Sequence, residues 1–161
     1  MKLLLCALVL LIVPLRLQAQ ETDRTKLEKN IYYRALVAML TARAQDARLA
    51  GANDPPHRVI IMSDIQLNNG FPARVGDVEI EYLTDSGLRA RHRSSKHEIP
   101  VFVMRPMSVD GQNLIIGFTR YWVSSTKKGI MMGLEGGYGV EIVFDCAQKE
   151  YVVASARLWG I

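Results

Sequence analysis

Cysteine is nearly absent from this chain of 161 residues: Cys6 and Cys146 are the only two. Cys6 sits early in an apolar leader with Leu5 before it, where a lipoprotein site expects a small residue. If that leader is removed, Cys146 stands alone and no intramolecular disulfide can form. Stability must then come from a packed core, and a domain of this size can bury one. Strong charge of one sign is also missing. Lys and Arg number 20 against 16 Asp and Glu. Removing Lys2 and Arg16 with the leader lowers the basic count to 18, a net charge of +2. So small an excess carries no nucleic-acid signature.

Several chemistries are excluded by motifs that do not occur. There is no glycine-rich loop closed by Lys-Ser/Thr, no nucleophile elbow and no two-histidine zinc-protease motif. Internal repeats and low-complexity tracts are absent as well. The one long apolar run, Leu3 to Val13, is too short to span a bilayer. With Met1-Lys2 before it and Ala19 and Gln20 after it, the run reads as a secretory signal peptide over residues 1–20. The expected product is one exported domain, residues 21–161, periplasmic or secreted, with no membrane span after cleavage.

A long helix is expected first. Thr25-Lys-Leu-Glu28 has capping-box spacing, and Leu27, Ile31, Ala35, Ala38, Met39 and Ala42 then form one apolar stripe. Gly51 suits the left-handed residue that ends a helix, and Asn53-Asp-Pro-Pro56 prevents continuation. Strands follow at 59–67, 78–84 and 101–109. In the second, Val78, Ile80 and Tyr82 alternate with Glu79 and Glu81. Asp85-Ser-Gly87 reads as a turn, and Arg89 to Glu98 as a basic connector. Pro106 implies an edge or bulge, and Asp110-Gly111 a hairpin turn.

The fourth strand, near 112–123, should be central because both of its faces are apolar. Gly129 to Gly139 reads as a loop or flexible strand extension. Two strands close the chain. A three-residue loop, Ala147 to Lys149, would set Phe144 opposite Val152, Ile142 opposite Ala154 and Val140 opposite Ala156. A two-residue loop would pair Phe144 with Tyr151 and Val140 with Ser155, mixing the faces, so the three-residue loop is expected.

The expected class is α+β: one N-terminal helix on a curved antiparallel sheet of about six strands. In element order it resembles the cystatin-like and NTF2-like folds, in which a curved sheet wraps a helix. An NTF2-like sheet would imply a pocketed enzyme or small-ligand carrier; the alternating strands, which leave few inward polar groups, instead favour an exported binding or interaction module.

Candidate ligand-binding residues are Arg105, Arg120, Trp122, Arg157 and Trp159. In Arg120/Trp122 and Arg157/Trp159 the partners share a strand face, and a guanidinium beside an indole can hold an anionic or planar group. The same arginines can equally lie on an outer face, stems on the sheet and charges in water. Met131, Met132, Leu134 and Tyr138 are candidates for a lid or partner loop, against a long hairpin connection with a bulge. Arg89, Arg91, Arg93 and Lys96 could form an anion-attracting surface or a solvated linker. His57, His92, His97 and Glu98 match no zinc spacing, so no metal site and no cofactor is expected. Asp64 is a weak catalytic candidate, a carboxylate between hydrophobic strand residues. Cys146 reads as a core or turn thiol. The pattern favours a non-enzymatic binding module over an enzyme. Its partner can be a protein, a glycan, a small molecule or a second copy of the chain.

Overall fold

A computed structural model describes residues 30–51, 57–63, 71–94, 98–126 and 129–160. The expected signal peptide, the expected capping box at Thr25 to Glu28, Asp64, Lys96 and His97 lie outside the described residues.

Helix α1, Ile31–Leu49, begins at Asn30, whose side chain accepts hydrogen bonds from the Tyr32 and Tyr33 amides. It ends as expected, with Gly51 at φ 81°. Its sheet-facing side carries Ala35, Leu36, Met39 and Leu40, all buried. They pack on Ile116, Phe118, Tyr138, Val140 and Ile142 to form the main core. Small residues on that side, including Ala38 and Ala42, let the helix approach the sheet closely.

The strands are β1 (Arg58–Ser63), β2 (Arg74–Val75), β3 (Val78–Leu83), β4 (Ile99–Met104), β5 (Ser108–Asp110), β6 (Asn113–Thr126), β7 (Gly129–Asp145) and β8 (Glu150–Trp159). They form one sheet in the order β2-β3-β1-β4-β6-β7-β8, with β5 paired to β6. The sheet curls into a half-barrel around α1. It is mixed, which corrects the antiparallel expectation: β1 pairs parallel with both β3 and β4, whereas β2–β3 and the later pairs are antiparallel. The antiparallel sheet implied by the cystatin-like and NTF2-like resemblance is therefore not present.

The reason lies between β3 and β4. A parallel arrangement needs a crossover to carry the chain back. Helix α2, Asp85–Ser94, supplies it, where a turn and a basic connector were expected. Thr84 caps the helix, its hydroxyl accepting from the Gly87 amide at 3.2 Å. Leu88, fully buried, anchors α2 over the convex face beside Ile60, Ile99, Val101 and Val123.

Pro106 falls where the third expected strand breaks, between β4 and β5. Strand β4 itself is central, not an edge. Gly111, at φ 62°, makes the expected hairpin turn, and β6 is central as expected. The stretch 129–139 is not a loop but a strand extension, part of β7, which pairs with β6 from Gly129 to Ile142 apart from Glu135. The closing hairpin uses a four-residue turn, so Phe144 lies opposite Tyr151. A bulge then leaves Ala154 unpaired, and beyond it Val140 does face Ala156. Val153, not Ala154, joins the core. Cys146 is an exposed turn thiol. Among the described residues no helix is long and apolar enough to cross a membrane.

Candidate functional site

The two arginine–tryptophan pairs lie on opposite faces of the sheet. On β6, Phe118 points into the core, so by alternation Arg120 and Trp122 continue on the concave face. On β8, Ala156 is the core residue, which puts Arg157 and Trp159 on the convex face. Arg105 is convex too: its Nη2 donates to the Tyr121 hydroxyl at 2.9 Å, and its stem lies against Gly117. The five expected ligand-binding residues therefore do not converge.

The concave pair has company that sequence reasoning missed. Phe102 on β4 is the register partner of Arg120. From the helix above, the Arg43 guanidinium lies over the Phe102 ring, 5.6 Å from its centroid. The Arg120 guanidinium lies over Trp122 at 5.2 Å. Two cations are thus each seated on an aromatic plate. Burial lowers the Arg43 pKa from its ordinary value, the Arg120 charge lowers it further, and Tyr138 opposes both.

Two carboxylates complete the cluster. Glu135 Oε2 lies 3.0 Å from Arg120 Nε. Neither atom makes a well-aligned hydrogen bond, so this is an ion pair by proximity only. Asp46, one turn beyond Arg43, accepts from the Tyr138 hydroxyl at 3.0 Å. Tyr138 is buried, and burial first and Asp46 second push its pKa up to about 12. It keeps its proton at neutral pH.

A bulge builds this arrangement. Between Arg120 and Tyr121 the β6–β7 register slips, so Glu135 is the extra residue on β7. Gly136 follows at φ 130°, and a Cβ there would lie 2.5 Å from the Trp159 carbonyl oxygen. At Gly137 a Cβ would lie 2.1 Å from the Phe118 carbonyl oxygen. Only glycine fits this crossing of three backbones. A sequence signal did exist for the helix side: Ala35, Met39 and Arg43 step by four along the buried stripe, which therefore runs into a cation.

The remaining candidates are scattered. Met132 packs on the convex cluster with Val123, and Leu134 is exposed opposite Tyr121. Met131 is exposed on the Trp122 face, and Tyr138 is core. Arg89 pairs with Asp85 at 2.9 Å, and Arg91 Nε lies 3.9 Å from Glu81. His92 and Arg93 belong to α2. Among the described residues no group of three His, Cys, Asp or Glu is placed to hold a metal. A shallow groove of about 380 Å³ runs between α1 and β8, lined by Tyr33, Arg34, Val37, Ala38 and Val153. Its one cation is engaged, with Arg34 donating to the Tyr151 carbonyl at 2.6 Å.

No family model, no curated protein and no solved structure matches this chain.

Proposed function

We propose that the protein is an exported, non-enzymatic binding module that holds a small ligand at the open end of its half-barrel. Export rests on the leader pattern of residues 1–20. The observation that carries the reading is where polar groups gather. Along most of α1 the space between helix and sheet is filled by Leu36, Met39, Ile116, Phe118 and Ile142. Arg43, Asp46, Arg120, Glu135 and Tyr138 cluster only toward the C-terminal part of the helix. A filled interior with one polar mouth suits reversible holding.

A pocketed enzyme or carrier is the second reading, favoured by the concave position of the cluster. Within it the carrier form is preferred. General acid–base work near neutrality needs a group that exchanges protons there. Tyr138, pushed up to about 12, does not, and arginine stays charged. The finer resemblance to NTF2-like folds adds no weight, because three neighbouring strands run parallel.

Native mass spectrometry of residues 21–161, purified from a host that removes the leader, tests the proposal. A retained small molecule is the expected result, and its mass names its class. A bare dimer would instead assign the exposed surface to self-assembly. A bare monomer that captures nothing from a small-molecule library would overturn the reading.

A further inference from the structure

We infer that Arg43 and Arg120 together clasp the carboxylate of a small amphipathic acid, whose apolar part lies along Trp122 and Met131. The inference rests on the binding-module reading and adds the chemical class of the ligand.

Three observations carry it. First, the two guanidinium groups are positioned but not used up. Each lies over a ring, Arg43 on Phe102 and Arg120 on Trp122. Arg120 meets Glu135 only through Nε, and that contact is poorly aligned. Among the described residues, no acceptor takes the terminal nitrogens of either arginine. Guanidinium groups seated over rings, with their outer nitrogens available, are suited to bidentate oxyanion binding.

Second, the formal charges of the cluster already cancel, Arg43 and Arg120 against Asp46 and Glu135. A monoanion leaves the loaded site at one net negative charge, whereas a phosphate dianion leaves it at two. The carboxylate is therefore the better match. Asp46 is turned to the Tyr138 hydroxyl, and Glu135 to Arg120 Nε. Neither carboxylate occupies the terminal nitrogens.

Third, the same face is apolar beside the arginines. Met131 is 58% exposed and lies on the Trp122 side of the β6–β7 hairpin, since its neighbour Met132 belongs to the convex cluster. Met131 is thus the same-face neighbour of Trp122, the ring that seats Arg120, and an exposed apolar side chain there fits a ligand with an acid head and a hydrocarbon body.

The two tryptophans provide the assay, because Trp122 is on the concave face and Trp159 on the convex one. Indole N–H resonances of the ¹⁵N-labelled exported protein are followed during titration with octanoate, acetate and inorganic phosphate at constant ionic strength. Octanoate should shift the Trp122 signal saturably and leave Trp159 still. Acetate should bind at least about tenfold more weakly, since its apolar body is missing. Arg43→Gln should weaken octanoate about tenfold. Asp46→Asn keeps an acceptor for Tyr138 and removes one negative charge, so it should tighten every anion several-fold and phosphate most. This second variant keeps the test open if Arg43→Gln does not fold.

No saturable Trp122 shift with octanoate would overturn the clasp, as would unchanged octanoate affinity in folded Arg43→Gln or in Asp46→Asn. Phosphate binding tighter than octanoate would overturn the carboxylate assignment. These failures differ from failure of the module itself. A ligand retained in mass spectrometry that ignores Arg43→Gln would leave the module standing and remove only the clasp.

Discussion

Gly136→Ala is the sharpest test of how the concave cluster is built. Gly136 has φ 130°, a conformation that L residues rarely adopt. Holding alanine there costs about 1–3 kcal/mol in backbone strain. The added methyl would also lie 2.5 Å from the Trp159 carbonyl oxygen and 3.0 Å from the Gly160 Cα. Those are backbone atoms and cannot rotate aside, so β8 must move away from β7. Overpacking of this kind costs about another 1–3 kcal/mol. The total, about 2–6 kcal/mol, is a large part of the roughly 5–15 kcal/mol that holds a domain together. Urea unfolding followed by tryptophan fluorescence measures it. Gly133→Ala on the same strand is the control. Its Cβ would meet nothing closer than 3.9 Å, and its φ is ordinary. That variant should stay within about 0.5 kcal/mol of wild type. If Gly136→Ala lost less than about 1 kcal/mol, or if both variants behaved alike, the bulge would not be the constraint described.

Leu88→Ala should cost about 2–5 kcal/mol by denaturant titration, because Leu88 is fully buried under α2; a cost below about 0.5 kcal/mol would return that segment to a solvated connector. Stability should fall at high pH. Burial pushes the phenols of Tyr82 and Tyr138 from 10.0 to about 12, so the folded state keeps protons that the unfolded chain has lost. Their contribution is complete below pH 10 and disappears as pH rises through about 12. Unfolding midpoints across that window should decline, and the decline should be shallower in Tyr138→Phe. Arg157→Ala, on the exposed convex face, should change stability by less than about 0.5 kcal/mol. Arg120→Ala leaves the buried Glu135 Oε2 without its cation and should cost about 1–2 kcal/mol, discounted because both side chains are about a third exposed. The two effects should add, since the residues sit on opposite faces. A double variant as stable as wild type would mean that the Glu135 contact is not formed in solution.

Much of the fold was legible because its signals are local. The apolar stripe and Gly51 announced α1, with only the first turn shifted. Alternation in 78–82 fixed which face of β3 meets the core, and two apolar faces marked β6 as central. The α2 crossover was not legible, because one buried leucine among four charged residues of Asp85–Ser94 makes no stripe. Yet Thr84 followed by Asp85 is a helix start, and Arg89 four residues on reinforces it. The 129–139 stretch was legible only as a loop or a flexible strand extension, because of its glycines. Glycine usually marks a loop, but here Gly136 and Gly137 are required by the close crossing of β6, β7 and β8. Register near the last turn went astray because the turn takes four residues, 146–149, not three; the bulge at Ala154, which restores Val140 opposite Ala156, has no side-chain signature either.

Composition, periodicity and turn residues alone determined the class: a cysteine-poor α+β domain held by one apolar helix stripe against alternating strands. They also determined that Arg120 travels with Trp122 and Arg157 with Trp159, because a strand repeats its face every two residues. Only the tertiary structure decided that these pairs face opposite ways. It alone decided that Arg43, Asp46 and Glu135, dozens of residues away from Arg120 or on another strand, meet it at one end of the helix. The physical reason is that local periodicity sets a side chain's face, whereas helix placement, strand order and a single bulge set which faces meet.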